Sequence, residues 1–230
     1  MNNRSPFPAE KIFVMRSLQI LIILISYTSL AQSNLDKLDS LAVSDASLME
    51  KKESINELYQ STKKEELPEF TLQVTKLFFS YGDYSEAIKY ALQHIESIKA
   101  LEPFDSAGYR NGLTNLGLLH ARDGQIEKSE SYYQLVLEEP KIDKYRGRAQ
   151  ERLGTLSREN GDFYTALGHF KRAQKTYQSI SYVRGVVFAT IAIAETYDEL
   201  KAKDGIFKAQ QILNDLLDSD LKEQFTELNY

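Results

Sequence analysis

Apolar side chains recur along most of this chain in steps of three and four residues. From Phe163 they fall at Ala166, Leu167, Phe170, Ala173 and Tyr177, one face of a single helix. The same period, interrupted by Gly, Pro and Asp, predicts a leading helix near 46–63. Helix pairs follow at 67–80 and 84–100, 107–122 and 126–138, 144–159 and 163–179, and 183–200 and 206–217, with a last segment at 219–229. Loops are expected at Glu102-Pro-Phe-Asp105, at 138–143 and at 179–181.

The predicted pairs repeat one another. Leu116-Gly117 and Leu153-Gly154 are each followed, seven residues after the glycine, by another glycine, Gly124 and Gly161. An apolar residue comes next at Ile126 and Phe163, a small one at Ser129 and Ala166, and an aromatic at Tyr133 and Phe170, all at an offset of 37 residues. An earlier copy carries Gly82, Tyr84 and Ala87 in the spacing of Gly161, Phe163 and Ala166, and a weaker one runs from Ala194 through Tyr197 to Ala209. The spacing has a physical reading. Two antiparallel helices approach closely where one offers Gly or Ala and the other a large side chain, so Gly117 and Gly154 supply hollows that Tyr133 and Phe170 fill. Gly124 and Gly161 stand where the first helix must stop, because glycine readily takes the left-handed conformation of a helix C-terminus. Asp162 then offers a cap for the next helix. A register-preserving repeat of helix pairs implies an all-α, right-handed α-solenoid rather than an ordinary bundle.

Leu113-x-x-Leu116-Gly117-x-x-His120, then Gly124, and Ala166-x-x-x-Phe170 resemble the tetratricopeptide-repeat (TPR) consensus over roughly residues 67–217. The period of 37 rather than 34, the 42 residues from Gly82 to Gly124 and the loss of the consensus Trp and most closing Pro are departures. Longer, looser repeats of this kind resemble those of exported bacterial TPR proteins, many of which are sensory parts of membrane histidine kinases or transcription regulators. The resemblance implies a non-catalytic scaffold that takes a protein or peptide in the groove lined by the first helix of each pair. In the family's carboxylate-binding members, groove Asn and Lys/Arg hold a peptide's C-terminal carboxylate. Carried over, Asn115 matches the Asn of the middle repeat, with Asn111 one turn before it, and Arg148 and Arg152 match the basic pair of the following repeat. The first repeat departs, with Leu72 and Lys76 where Lys and Asn would stand, so the full clamp is not present.

Composition narrows the function further. The formal charge is −5, from 28 basic and 33 acidic residues, and no basic block favours nucleic-acid binding. Cysteine is absent, which removes disulfides, thiolate metal sites and a thiol nucleophile. The apolar run from Leu18 to Ile25, preceded by Lys11 and Arg16 and followed by Ser29-Leu30-Ala31, reads as a secretory signal peptide cleaved after Ala31. A retained membrane anchor is the alternative, though a span needs about 20 apolar residues and this stretch is shorter. Met15 is a second natural start. The mature part would carry 25 basic and 32 acidic residues, a net of −7, with no membrane insertion, in the periplasm or outside the cell.

No zinc-protease or calcium-loop motif, phosphate-cradling glycine loop or Gly-x-Ser-x-Gly turn occurs, so no metal, cofactor or catalytic residue is expected. His94, His120 and His169 read as packing residues. The chain thus divides into a signal peptide over 1–31, leading helices over 32–66, about four TPR-like repeats over 67–217 and a helix over 218–230. That last helix either closes the array or marks a truncated receptor whose effector would follow.

Overall fold

The computed structural model describes residues 33–200 and 204–217, and every element among them is an α-helix. In order these are α1 (Asn34–Ala42), α2 (Leu48–Ser61), α3 (Leu67–Ser80), α4 (Tyr84–Lys99), α5 (Ser106–Arg122), α6 (Ile126–Glu138), α7 (Lys144–Glu159), α8 (Phe163–Ser179), α9 (Val183–Glu199) and α10 (Gly205–Leu217). The signal peptide expected over 1–31 and the helix expected at 219–229 lie outside the described residues. Among the described helices, none is long and apolar enough to cross a membrane.

The chain separates into two compact units at the step from Thr62 to Lys63. In the first, the sequence reading places one helix at 46–63, whereas the structure has two, α1 and α2. Each opens on a capping box. Ser33 and Asp36 exchange hydrogen bonds at the start of α1, and Ser47 and Glu50 do so at the start of α2. Leu38 and Ile55 are buried, and the Lys51 ammonium donates to the Ala42 carbonyl at 3.0 Å.

The second unit is a solenoid of stacked antiparallel helix pairs: α3/α4, α5/α6, α7/α8 and α9/α10. Within the first three pairs the turn is made in one way. Gly82, Gly124 and Gly161 take φ of 73°, 76° and 81°. The residue after each donates back five positions, Asp83 to Phe78, Gln125 to His120 and Asp162 to Ser157, at 2.8–3.0 Å. The turn from α8 to α9 uses the same bonds with Ser181 at φ 54° in the glycine's place.

Between paired helices, glycines meet rings. A methyl built on Gly154 would stand 2.7 Å from Cε1 of Phe170, and one on Gly117 would run into the Tyr133 ring. Tyr177 lies against two such positions, Gly147 on α7 and Gly185 on α9. Tyr133, Phe170 and Tyr177 are all buried. From α5 onward the first helices of successive pairs touch, α5 on α7 and α7 on α9, while no comparable packing joins α3 to α5 or α6 to α8. Between α5 and α9 the stack is therefore closed along its first helices, and it is open between the second helices α6 and α8.

A buried ion pair fixes α5 to α7. The Arg110 side chain, 3% exposed, places its guanidinium 2.7 Å from Oδ2 of Asp143, while Asp143 Oδ1 accepts the backbone N–H groups of Tyr145 and Arg146 at the start of α7. Arg146 in turn donates to the carbonyls of Leu137 and Glu139 at the end of α6, both at 2.9 Å.

Two stability outcomes follow, each read by urea unfolding. Gly117→Ala should lose about 1–3 kcal/mol through overpacking against Tyr133, more than the ~1 kcal/mol that alanine returns in helix propensity. Gly168→Ala on α8, whose Cβ would meet only the tip of Arg172 at 3.8 Å, should instead stabilise. A gain at Gly117 would refute the close-approach account. Asp143→Ala should cost about 3–5 kcal/mol by leaving Arg110 buried and unpaired, and Arg110→Met with Asp143→Asn should recover most of it. No recovery in the double variant would show that the pairing is not the source of the loss.

Candidate functional site

The touching first helices create a groove. It forms a cavity of about 350 Å³ with walls from α5, α7 and α9 and with Tyr177 of α8 in its lining. Asn115 comes from α5, Arg148 and Arg152 from α7, and Arg184 from α9. Arg148 and Arg152 lie one helical turn apart and are half-buried. Among the described residues, neither makes a hydrogen bond or an ion pair within 4 Å, in contrast to Arg110 and to Arg158, which meets Glu195 at 2.7 Å. Arg184 extends over the Phe188 ring at 5.6 Å.

Opposing charge in the groove is limited to Glu151, whose Oε2 accepts the Tyr177 hydroxyl at 3.0 Å. Burial, followed by the neighbouring Glu151 carboxylate, pushes the Tyr177 hydroxyl well above its ordinary value, so it remains a neutral donor. Three arginines thus line a groove that holds one partly engaged carboxylate, with Asn115 in the same lining. Such a surface suits a carboxylate or another oxyanion, which planar guanidinium forks bind in bidentate fashion.

Of the residues singled out from sequence, Asn115, Arg148 and Arg152 come together here. Asn111, half-buried on α5, and Lys76, exposed on α3, are not in the lining. Arg184 escaped the sequence reading. The 37-residue step does not reach it, since that step carries Arg148 to Gly185; what brings the two arginines to one groove is the packing of their neighbours Gly147 and Gly185 on the Tyr177 ring.

His94 and His120 sit in packing, whereas His169 on α8 is only half-buried and lines an open cleft. His94 is buried, with Nδ1 2.9 Å from the Pro68 carbonyl. A carbonyl only accepts, so Nδ1 carries the proton and the buried Nε2 is left without a partner. His120 stacks on Tyr132 with ring centroids 5.2 Å apart. Among the described residues, no group of three or more His, Asp or Glu could hold a metal ion.

No known family's sequence profile matches the chain. Its fold is similar to that of BtubC (BKLC) from P. vanneervenii, with a TM-score of 0.59 and 15% identity over 79% of this chain and 72% of that one. It is also similar to aspartyl phosphate phosphatase F from Bacillus subtilis, with a TM-score of 0.59 and 15% identity over 84% of this chain. The match spans about half of that second protein, 52% of its length. At this identity the likeness is one of fold.

Burial holds the His94 imidazole below its ordinary pKa, against the smaller opposing pull of the Pro68 carbonyl. The unfolded chain therefore takes up a proton near pH 6.5 that the folded chain resists, and stability should fall as pH drops from 7 towards 5. His94→Gln should flatten that slope by at most about 1.4 kcal/mol per pH unit, the limit for one proton. His120 and His169, shifted the same way by burial, keep the remainder. Unfolding free energies measured at several pH values check this, and an unchanged slope in the variant would remove His94 from the account.

Proposed function

We propose that this chain is a non-catalytic scaffold that binds an acidic protein segment, with a free carboxylate seated among Arg148, Arg152 and Arg184. The observation that carries the reading is the presence of these three arginines in the lining of one groove, where Arg148 and Arg152 lack any hydrogen bond or ion pair among the described residues. Half-burying a guanidinium costs solvation, which a bound oxyanion offsets. Asn115 adds a neutral amide that can donate to the same ligand, and the Tyr177 hydroxyl keeps Glu151 occupied. The stacked helix-pair fold supports the reading, because such arrays present a long concave surface to extended partners. On the strength of residues 1–31, the scaffold would act outside the cytoplasm, on an exported partner.

The test is anisotropy of a fluorescein-labelled acidic hexapeptide with a free C-terminal carboxylate, beside its amidated twin. The free acid should bind better than the amide, and its affinity should fall with added salt. Arg148→Ala with Arg152→Ala should weaken binding by at least about tenfold, on the scale of one or two charge-assisted hydrogen bonds. Arg184→Ala should weaken it less, because that side chain is exposed. Equal affinity of the double variant and the native chain would end the proposal.

A further inference from the structure

On another face of α7 from the arginine groove, a cleft of about 1300 Å³ opens between α6 and α8. The repeat supplies its own control. A smaller cavity of about 310 Å³ lies one repeat earlier, between α4 and α6. Each residue lining that smaller cavity has its repeat equivalent in the lining of the larger one. The offset is 42 residues for the α4 positions and 37 for those on α5, α6 and the turn between them.

The side chains at equivalent positions mostly change towards negative charge and open space, with Asp123, which becomes Asn160, the one exchange that removes a carboxylate. In the smaller gap, Tyr132 stacks on His120 and closes the space, with Ile88 and Leu92 facing it. One repeat on, His120 becomes Ser157 and Tyr132 becomes His169, so the filling rings are lost. Ile88 becomes Glu130, Ser85 becomes Glu127, Gln125 becomes Asp162, and the one lysine, Lys128, becomes Thr165. Glu138 and Glu159 add two more carboxylates, and the lining contains no Lys or Arg. Among the described residues, the carboxylates of Glu127, Glu130, Glu138 and Glu159 have no cation within 4 Å. The interior remains apolar, formed by Leu153 and Leu156 of α7 with Ile126 and Leu135 of α6, which are 38% and 42% exposed.

We infer that this cleft is a docking site for a basic amphipathic helix of a partner protein. The apolar residues receive the helix's apolar stripe, and the carboxylates receive lysines or arginines flanking it. The volume accommodates roughly two to three turns of a helix about 10 Å across. Charge complementarity selects this occupant, because an acidic or neutral helix would bring no counter-charge to five carboxylates. The inference is independent of the arginine groove, which would take the opposite charge at a different set of α7 residues.

The probe is a fluorescein-labelled 14-residue Leu/Lys amphipathic helical peptide, titrated with the chain at physiological salt. Saturable binding is expected. Glu127→Lys with Glu130→Lys should weaken it by at least about tenfold. Ser157→His with His169→Tyr, which refills the cleft as the preceding repeat does and leaves its carboxylates in place, should weaken it comparably. Asp39→Lys with Asp45→Lys, an equal charge change on exposed residues of the first unit, should leave binding intact, as should Arg148→Ala with Arg152→Ala. Equal loss in the Asp39/Asp45 control would overturn the inference in favour of general charge attraction, and unchanged binding in a folded refilled variant would overturn it outright. If the refilled variant does not fold, the exposed Glu127/Glu130 pair decides alone. Absence of saturable binding would also overturn it. So would self-association in sedimentation that E127K/E130K abolishes, which would make the occupant a second copy.

Discussion

The stack depends on how closely one helix can approach the next, and four glycines set that distance. Where Gly117 and Gly154 face Tyr133 and Phe170, the ring occupies space a β-carbon would need, so the two backbones of a pair approach closely. Gly147 and Gly185 do the same for Tyr177 across three helices, α7, α8 and α9. Glycine in a helix interior costs about 1 kcal/mol relative to alanine, and burial of an aromatic ring offsets that cost several times over. The energetic case for the repeat lies in these contacts more than in helix propensity.

The same contacts dictate where the molecule presents surface. Tyr177 holds α7 and α9 together, so the residues beside its two glycines, Arg148 and Arg184, are carried to one groove. The second helices have no equivalent link, and the space between α6 and α8 stays open. Helix α7 thus serves two surfaces at once, with Arg148 and Arg152 towards one and Leu153, Leu156 and Ser157 towards the other. Its start is fixed by Asp143, which caps the helix through one oxygen and pairs with Arg110 through the other. A single carboxylate therefore sets the position from which both surfaces are measured.

Much of this is legible in the chain because the signals are local. The boundaries of α3, α6, α7 and α8 agree with the sequence reading, since Gly124, Gly161 and the capping Asp143 and Asp162 mark helix ends within a few residues. Helix α1 is harder to see: nine residues give too few turns for a periodic pattern, and its capping box was the only strong cue. Within the groove, family spacing brings out Asn115, Arg148 and Arg152 but also points to Asn111 and Lys76, which lie outside the lining. The α5 part of the lining is Thr114, Asn115 and Leu118, so Asn111, one turn nearer the start of α5, lies beyond the end of the groove along the helix axis. Lys76 sits on α3, while the groove is built from α5, α7 and α9. Arg184 and the α6/α8 cleft need comparison across repeats of unequal length, which no single window displays.

Departures from a repeat carry information that its consensus does not. Positions that keep their residue type, such as Gly117 and Gly154, are accounted for by packing alone. The exchange of a stacked His120–Tyr132 pair for Ser157 and His169 has no such account, because it gives up buried ring area and leaves a large cleft inside an otherwise regular array. Carboxylates at Glu127 and Glu130, where the previous repeat has Ser85 and Ile88, add mutual repulsion on one helix face and gain no ion pair in return. A stability loss of this kind, concentrated at one repeat junction, is what a binding surface imposes on the scaffold that bears it.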